Sequence, residues 1–223
     1  MVAQPIVIVG AGGFGREVLA IIRDINEAAE AGGSDAVYDF LGFIDDGEPN
    51  MERIHRLGVV HKGGMNFINA LPQGCQYVIG IGSGEVRKQL SVRCDSAGLQ
   101  AATLVAPTAY IGPDVRLSPG AVVCAHASLT TNIEVGQHVH INLNSTVGHD
   151  AVLEAFSTVN PLSAVSGDVT VGECSMIGTN SAVNQGIRIG RGSLVASGSA
   201  VIKDVADKTL VAGVPAVPKK QLD

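Results

Sequence analysis

The sequence is poor in aromatic residues, in basic charge and in paired cysteines. Aromatic residues make up 4% of the 223 residues and tryptophan is absent, so the core cannot depend on large rings. The net charge is −6, which argues against a nucleic-acid partner because phosphate binding needs a basic surface. The four cysteines form no CxxC pair, and we expect free thiols in a reducing cytosol.

Long apolar runs are missing as well. The apolar run over residues 6–9 is too short for a signal peptide and leads into a glycine-rich turn. No run approaches the length that a transmembrane helix needs. We therefore expect a cytoplasmic protein without a membrane span.

Residues 1–100 alternate between strand and helix patterns. "PIVIVG", "YDFLGFIDD" and "QYVIGIGSG" indicate strands, whereas "FGREVLAIIRDI" and "EVRKQLSVRCDSAG" indicate helices. We predict "LQAATLV" as one last strand, and residues 49–72 show no clear pattern. The alternation predicts a small Rossmann-like α/β domain with a mostly parallel sheet.

Residues 101–223 follow a repeat of six instead. Every sixth residue from Ile111 to Val201 is aliphatic, without a break, and a small or β-branched residue stands two positions earlier. Gly or Asn often follows the aliphatic residue, and we interpret it as a chain corner with positive φ. Three hexads close a coil of eighteen residues, so this part is predicted to be a parallel β-helix with a C-terminal tail.

Two motifs of the first domain carry candidate binding residues. "GAGGFG" lies between a strand and a helix, where backbone N–H groups can hold a phosphate. A plain turn and an NAD site are the alternatives, although 100 residues are few for a dinucleotide domain. Asp45 and Asp46 end the next strand, where an acid can bind a base or ribose, or simply be solvated.

The histidines of the repeat do not have the spacing of a metal site. Residues 126, 138, 140 and 149 are separated by 12, 2 and 9 positions, which offers a pair at most. We therefore expect no metal. His149 occupies an outward position of its hexad and is, by position alone, either a surface residue or a base.

The combination of motifs resembles a known family. "IVIVGAGGFGREV", "LGFIDD", "GIGS", hexads containing "GHD" and a terminal "GVPA" are similar to the NeuD/PglD/PerB family of sugar acetyltransferases, within the left-handed β-helix acyltransferases. The left hand comes from this resemblance alone, because the usual crossover rule predicts a right-handed path.

The resemblance implies a function and an assembly. It implies an acetyl-CoA-dependent N-acetyltransferase that acts on the amino group of a nucleotide-linked amino-deoxysugar. It also implies a homotrimer with inter-subunit active sites. O-acetylation of a sialic-acid-like sugar, and a non-catalytic trimeric scaffold or sugar-nucleotide sensor, remain open alternatives.

The resemblance also assigns roles to residues. His149 would be the general base, with Asp150 as its partner and Asn142 as a further catalytic residue. The corners at residues 142 and 148 should lie roughly 15–20 Å apart, so both can serve one reaction only from different subunits. Many relatives carry a second histidine at the position of Thr158. The resemblance further implies substrate contacts from Gly12, Gly13, Phe14, Asp45 and Asp46, and cofactor contacts from Thr158, Gly167, Gly178, Ser197, Gly198, Gly213 and Pro215.

The resemblance gives specific roles to Gly167 and to the segment around Gly213 and Pro215. The N–H of Gly167 would stabilise the oxyanion of the tetrahedral intermediate. The segment around Gly213 and Pro215 would lie near the adenosine of CoA, where Lys219 or Lys220 either meets a phosphate or belongs to a solvated basic tail.

Overall fold

The computed structural model describes residues 2–223, which divide into two compact units between Pro107 and Thr108. The first unit contains the helices and a five-stranded sheet. Its elements are β1 (Gln4–Val9), α1 (Gly13–Ala31), β2 (Tyr38–Ile44), α2 (Met51–Arg56), β3 (His61–Gly63), a 3₁₀ helix (Met65–Ala70), β4 (Gln76–Ile79), α3 (Gly84–Ser96), β5 (Gln100–Ala101) and β6 (Leu104–Val105).

The sheet of the first unit is parallel throughout, in the order β3-β2-β1-β4-β5. The last four residues of β1 are apolar and fully buried, as expected for a strand covered on both faces. The strand order reverses beside β1, and α/β proteins bind ligands at such a point, outside the carboxyl ends of the strands. The predicted Rossmann-like domain is confirmed.

Two details of the first unit differ from the expectation. The unpatterned residues 49–72 contain α2, β3 and the 3₁₀ helix. The prediction of "LQAATLV" as one strand is wrong, because only Gln100 and Ala101 pair with β4 before the chain leaves the sheet. Short elements with few periodic residues give too weak a pattern to be located from sequence.

The second unit is a prism of short parallel strands. Face I consists of β7 (Tyr110–Ile111), β10 (Ser128–Leu129), β13 (Thr146–Val147), β16 (Ala164–Val165), β19 (Ala182–Val183) and β22 (Ala200–Val201). Face II consists of β8 (Val115–Leu117), β11 (Ile133–Val135), β14 (Val152–Leu153), β17 (Thr170–Val171) and β20 (Arg188–Ile189). Face III, within this unit, consists of β9 (Val122–Val123), β12 (His140–Ile141), β15 (Thr158–Val159), β18 (Met176–Ile177), β21 (Leu194–Val195), β23 (Thr209–Gly213) and β24 (Ala216–Gln221).

The pairing register of the prism confirms the coil of eighteen residues. Leu129 pairs with Val147, and Val147 pairs with Val165, eighteen positions further on. These aliphatic side chains are almost completely buried inside the prism. The second unit is the predicted left-handed parallel β-helix, and the fold is shared with known acetyltransferases.

The corner residues correct our interpretation of the repeat. Positive φ occurs three positions after the aliphatic residue, as at Asp150 (φ 61°), and not at the Gly or Asn that follows it directly. A Cβ on Gly148 would instead lie 2.5 Å from the backbone nitrogen of Gly167 in the next coil. Glycine is needed there because successive coils approach closely, not because the backbone is left-handed.

Buried serines line the inner side of the corners. Ser145 donates to the carbonyl of Asn160 at 3.0 Å, and Ser163 donates to the carbonyl of Gly178 at 2.8 Å. Each hydroxyl thereby satisfies a carbonyl fifteen residues further along. This bonding explains why serine recurs two positions before the aliphatic residue, because a buried hydroxyl is costly without a partner.

Candidate active site

The His149 and Asp150 side chains form a pair on one edge of the prism. We call this edge I/II; it comprises the corners between faces I and II at residues 130–132, 148–151, 166–169 and 184–187. His149 Nδ1 lies 2.7 Å from Asp150 Oδ2, and both side chains are just over half exposed. When Nδ1 holds the proton and donates it to the carboxylate, Nε2 remains a proton acceptor.

The backbone around this pair is held by the neighbouring coils. The N–H of Asp150 donates to the carbonyl of Thr131 at 3.1 Å, and the N–H of Asp168 donates to the carbonyl of His149 at 2.7 Å. The coils above and below therefore fix the backbone from which the His149 side chain extends.

Gly167 makes room for the imidazole ring. A Cβ on Gly167 would lie 2.5 Å from both Cε1 and Nε2 of His149. A Cβ on Gly148 would crowd the Gly167 nitrogen in the same way. Two glycines thus bring the imidazole and the Gly167 backbone together, which no larger side chains would permit.

Asp150 also has a purely conformational explanation. Its φ of 61° is shared by Asp114 and Asp168, which stand at the same turn position in other coils. Asp and Asn are enriched among non-glycine residues with positive φ. Asp150 therefore suits the turn whether or not it serves the histidine, and only the 2.7 Å contact distinguishes it.

Asn142 lies on a different edge. Edge III/I comprises the corners between faces III and I at residues 124–127, 142–145, 160–163, 178–181 and 196–199. The Asn142 side chain donates to Asn160 Oδ1 at 3.4 Å and accepts from Cys124 Sγ at 3.8 Å. Asn142 is 6% exposed and belongs to a ladder that runs along this edge.

Most of the predicted cofactor residues gather along edge III/I. Thr158 is buried in β15, directly before this edge, and pairs with His140. Gly178 approaches the nitrogen of Ser197, to which its Cβ would come within 2.5 Å, and Gly198 is a turn residue with φ 72°. Gly213 donates from its backbone to Ser199 Oγ at 3.2 Å.

Gly213 and Pro215 belong to the turn of the antiparallel hairpin β23–β24. A groove of about 710 Å³ lies against this hairpin. Its lining includes Lys203, Lys219 and Lys220, so positive charge is available close to the predicted adenosine end.

Face I separates the two edges within one chain. Edge I/II carries His149, Asp150 and Gly167, whereas edge III/I carries Asn142 and the other predicted cofactor residues of the prism. The structure therefore brings His149, Asp150 and Gly167 together, but within one chain it does not bring them to Asn142 and the other predicted cofactor residues of the prism.

The glycine-rich turn of the first unit lies at the carboxyl end of β1. Gly12 and Gly13 are exposed, and a Cβ on either would meet no atom within 4 Å. Gly12 caps α1 without a side chain, and the first turn of α1 contains no acid. An open helix N-terminus of this kind favours an anion. Phe14 is half-buried in the same turn.

Asp45 and Asp46 are both bound within the first unit. Asp45 accepts from the N–H of Ala11 at 2.7 Å and so ties the glycine-rich turn to the end of β2. Asp46 accepts from the N–H of Met65 at 2.7 Å and from Arg93 at 3.1 Å. The Met65 hydrogen bond, with a smaller contribution from Arg93, lowers the pKa of the Asp46 carboxyl below its ordinary value.

The loop over residues 80–83 is the "GIGS" motif of the sequence analysis, to which no binding role was assigned. The loop follows β4, beside the glycine-rich turn, and a Cβ on Gly80 would collide with the Gly15 backbone. Arg87 supports the loop from α3 and is completely buried. The strand-order reversal beside β1 would have indicated this loop, but sequence alone does not give the strand order.

The remaining reactive groups are not arranged as a metal or thiol centre. Among residues 2–223, no three His, Cys, Asp or Glu side chains are grouped so that they could hold a metal ion. Burial raises the pKa of the Cys75 thiol to about 11 and that of Cys94 to about 12. Those two thiols are therefore poor nucleophiles at neutral pH.

Across the described part of the chain, no helix is long and apolar enough to cross a membrane.

Comparisons with known proteins show similarity to acetyltransferases that act on nucleotide-linked sugars. Residues 5–94 match the family model described as the PglD N-terminal domain. A GDP-perosamine N-acetyltransferase of Escherichia coli O157:H7 is 25% identical over 154 residues, which cover 69% of this chain and 66%, just under two thirds, of that protein.

Two solved structures resemble nearly the whole chain. PerB of Caulobacter crescentus, in complex with CoA and GDP-perosamine, is 28% identical, with 99% of each chain covered and a TM-score of 0.85. The acetyltransferase domain of PglB from Neisseria gonorrhoeae, in complex with acetyl coenzyme A, is 27% identical, with 97% of this chain and 100% of that chain covered and a TM-score of 0.81.

The fold is the one found in acetyltransferases of the left-handed β-helix class, and the His149–Asp150 pair lies on one edge of it. The first unit matches the PglD N-terminal domain, and nearly the whole chain is similar to the perosamine N-acetyltransferase of Caulobacter crescentus and to the acetyltransferase domain of PglB.

Proposed function

We propose that this protein N-acetylates the amino group of a nucleotide-linked amino-deoxysugar, with acetyl-CoA as the acetyl donor. The observation that carries the proposal is the His149–Asp150 pair, 2.7 Å apart, with the imidazole against Gly167. Two relatives whose names state a substrate are perosamine N-acetyltransferases, which supports an amine acceptor.

His149 is the proposed general base. The sugar nitrogen forms a bond to the thioester carbonyl carbon while Nε2 takes a proton from that nitrogen. Collapse of the tetrahedral intermediate breaks the carbon–sulfur bond, and the imidazolium returns its proton to the CoA sulfur. Asp150 fixes the tautomer and stabilises the imidazolium.

Gly167 is the proposed oxyanion donor. Among residues 2–223, the Gly167 N–H has no hydrogen-bond acceptor, and Gly148 leaves the space beside it open. A backbone N–H aimed at the developing oxyanion stabilises the intermediate. The CoA chain would follow Gly178, Ser197 and Gly198, because these residues lie on one continuous edge, and Thr158 stands directly before that edge.

The carboxyl edge of the N-terminal sheet is the proposed nucleotide-sugar site. Gly12, Gly13 and Phe14 would lie near the diphosphate, since the α1 N-terminus is open and free of acid. Asp45 and Asp46 would contact the base or ribose through lone pairs that their present hydrogen bonds leave available.

A homotrimer would complete the active site. His149 and Asn142 lie on different edges of one prism, so one site can contain both only when a neighbouring subunit contributes an edge. The same argument applies to Gly178 and Ser197, which share the edge of Asn142. The adenosine end of CoA would then lie near Gly213 and Pro215, close to Lys219 and Lys220.

A thiol-release assay tests the proposal. Acetyl-CoA is offered with a panel of UDP-, GDP- and TDP-linked amino sugars, and we expect thiol release with at least one of them. The product must resist mild base, because an amide survives where an ester is lost. A base-labile product would indicate O-acetylation, and no release with any amino sugar would contradict the proposed function.

Direct transfer has its own measurement. After incubation with acetyl-CoA and no acceptor, the intact protein should show no acetyl adduct by mass spectrometry. A covalent adduct that an added amino sugar discharges would replace direct transfer by an acyl-enzyme route.

A further inference from the structure

Arg87 is the largest completely buried side chain of the described residues, and it lies on α3 beneath the loop over residues 80–83. Its Nη1 donates to the carbonyl of Ile81 at 3.0 Å and to the carbonyl of Gly82 at 2.9 Å. One buried guanidinium therefore holds two successive peptide groups of this loop.

These two hydrogen bonds determine where the loop N–H groups point. The peptide bonds that follow Ile81 and Gly82 are trans, and the C=O and N–H of a trans peptide point in opposite directions. Since both carbonyls turn inward to Arg87, the N–H groups of Gly82 and Ser83 turn away from it. Neither N–H donates to an acceptor within residues 2–223.

The surroundings leave these donors accessible. Gly82 and Ser83 are exposed, and a Cβ on Gly82 would meet no atom within 4 Å. Successive outward N–H groups form a concave site that favours anions. The loop follows β4, at the point where the strand order reverses beside β1, on the same edge as the glycine-rich turn.

We propose that Arg87 is a positioning residue, which orients the N–H groups of Gly82 and Ser83 toward the diphosphate of the nucleotide sugar. This inference rests on the proposed function, because that function supplies the diphosphate. Arg87 acts from the interior through Ile81 and Gly82 and does not itself touch the substrate. The glycine-rich turn follows β1 and the 80–83 loop follows β4, and both would contact the diphosphate.

The test compares affinities for a nucleoside diphosphate and for its nucleoside by calorimetry. The probes are UDP, GDP and TDP with the matching nucleosides. The wild-type protein should bind one diphosphate more tightly than its nucleoside. Arg87→Met should reduce that preference about 10- to 100-fold, because hydrogen bonds to a charged group are lost. Arg87→Lys, which keeps a charge and a donor, should restore part of it.

Two further variants keep the test decisive if Arg87→Met does not fold. Gly82→Val places a side chain over the loop N–H groups and should therefore also reduce the preference for the diphosphate. This variant should fold, because Gly82 does not have a positive φ and a Cβ there would meet no atom within 4 Å. Lys88→Met removes an exposed charge from the same helix and should leave the preference unchanged.

The outcomes separate the two proposals. If the wild-type protein binds no diphosphate, the nucleotide-sugar assignment fails, and this inference fails with it. If the wild-type protein prefers the diphosphate and folded Gly82→Val and Arg87 variants keep that preference, only the role of Arg87 is overturned. CoA binding by each variant reports that the prism is intact.

Discussion

The two edges of face I differ in what covers their polar groups. On edge I/II, His149 and Asp150 are more than half exposed and contact each other. On edge III/I, Asn142 is 6% exposed and bonds to Asn160 and Cys124 within its own ladder. The polar side chains of edge I/II are open to solvent, whereas those of edge III/I bond to one another.

This contrast arises from the same repeat. Both edges have the eighteen-residue register, and both use small residues where coils approach. The difference lies in single substitutions within the pattern, such as glycine at 167, which opens space for a ring one coil away. A periodic fold can therefore present different side chains on each edge while the core remains regular.

Removing the imidazole should have the largest effect on edge I/II. We expect His149→Ala to lower kcat about 10²- to 10⁴-fold, the range for loss of general acid–base catalysis. Steady-state thiol release measures the loss, and CoA binding should persist. Unchanged turnover would contradict the role of His149 and favour the scaffold alternative.

A side chain at Gly167 should remove the space on edge I/II that the His149 ring occupies. A Cβ there would lie 2.5 Å from the His149 ring, so Gly167→Val must displace the imidazole. We expect kcat to fall about 100-fold, as when a catalytic group moves by about 1 Å. Gln185→Ala, one coil further along the same edge, is the matched control and should have little effect. Equal losses in the two variants would argue against a specific contact with His149.

Asp150→Asn separates the two explanations of Asp150. Asparagine keeps the preference for positive φ but loses the carboxylate that pairs with His149. We expect about a tenfold fall in kcat, modest because both side chains are more than half exposed and the pair is screened by solvent. Asp114→Asn, at the same turn position two coils earlier, should not alter turnover. Full activity in Asp150→Asn would leave Asp150 only a turn residue.

Mixing subunits tests whether the two edges cooperate. His149→Ala and Asn142→Ala should each have low activity alone. In random mixed trimers, about one quarter of the inter-subunit sites would combine an intact edge from each variant. Activity should therefore recover to about a quarter of wild type after co-refolding. No recovery, although mixed trimers form, would place both residues in sites of a single subunit.

The periodic part of the fold was far easier to predict than the site. The aliphatic residues from Ile111 to Val201 gave the coil and its three faces, because each coil repeats the same local contacts. The corner glycines were misinterpreted, since close approach between coils involves residues about eighteen apart, as at Gly148 and Gly167. Period alone does not show why a glycine is required.

The candidate binding site of the first unit shows the opposite balance. "GAGGFG" marked one wall of that site in the sequence. The motif "GIGS" at residues 80–83 contributed to the family resemblance but received no binding role, and Arg87 did not stand out, because an arginine inside a polar helix usually faces solvent. Its burial depends on the order of the strands, which is set by contacts between distant parts of the chain.

The smallest expected effect concerns Asp46, which the sequence suggested as a substrate residue and whose present partners are Met65 and Arg93. Its pKa is lowered in the folded protein, so its contribution to stability is present above the ordinary carboxylate pKa and is lost as the pH falls through the lowered value. Asp46→Asn should reduce the free energy of unfolding at pH 7 by less than about 1 kcal/mol, since the side chain is largely exposed.

Urea unfolding of Asp46→Asn at pH 7 and in acid measures this difference, with the exposed Asp24→Asn as the matched control. The gap between Asp46→Asn and wild type should narrow as the solution becomes acidic, because the wild-type carboxylate then also loses its charge. A gap that stays constant with pH would show that the Asp46 charge does not stabilise this corner of the first unit. A raised KM for the sugar nucleotide without any change in stability would instead favour direct contact with the substrate.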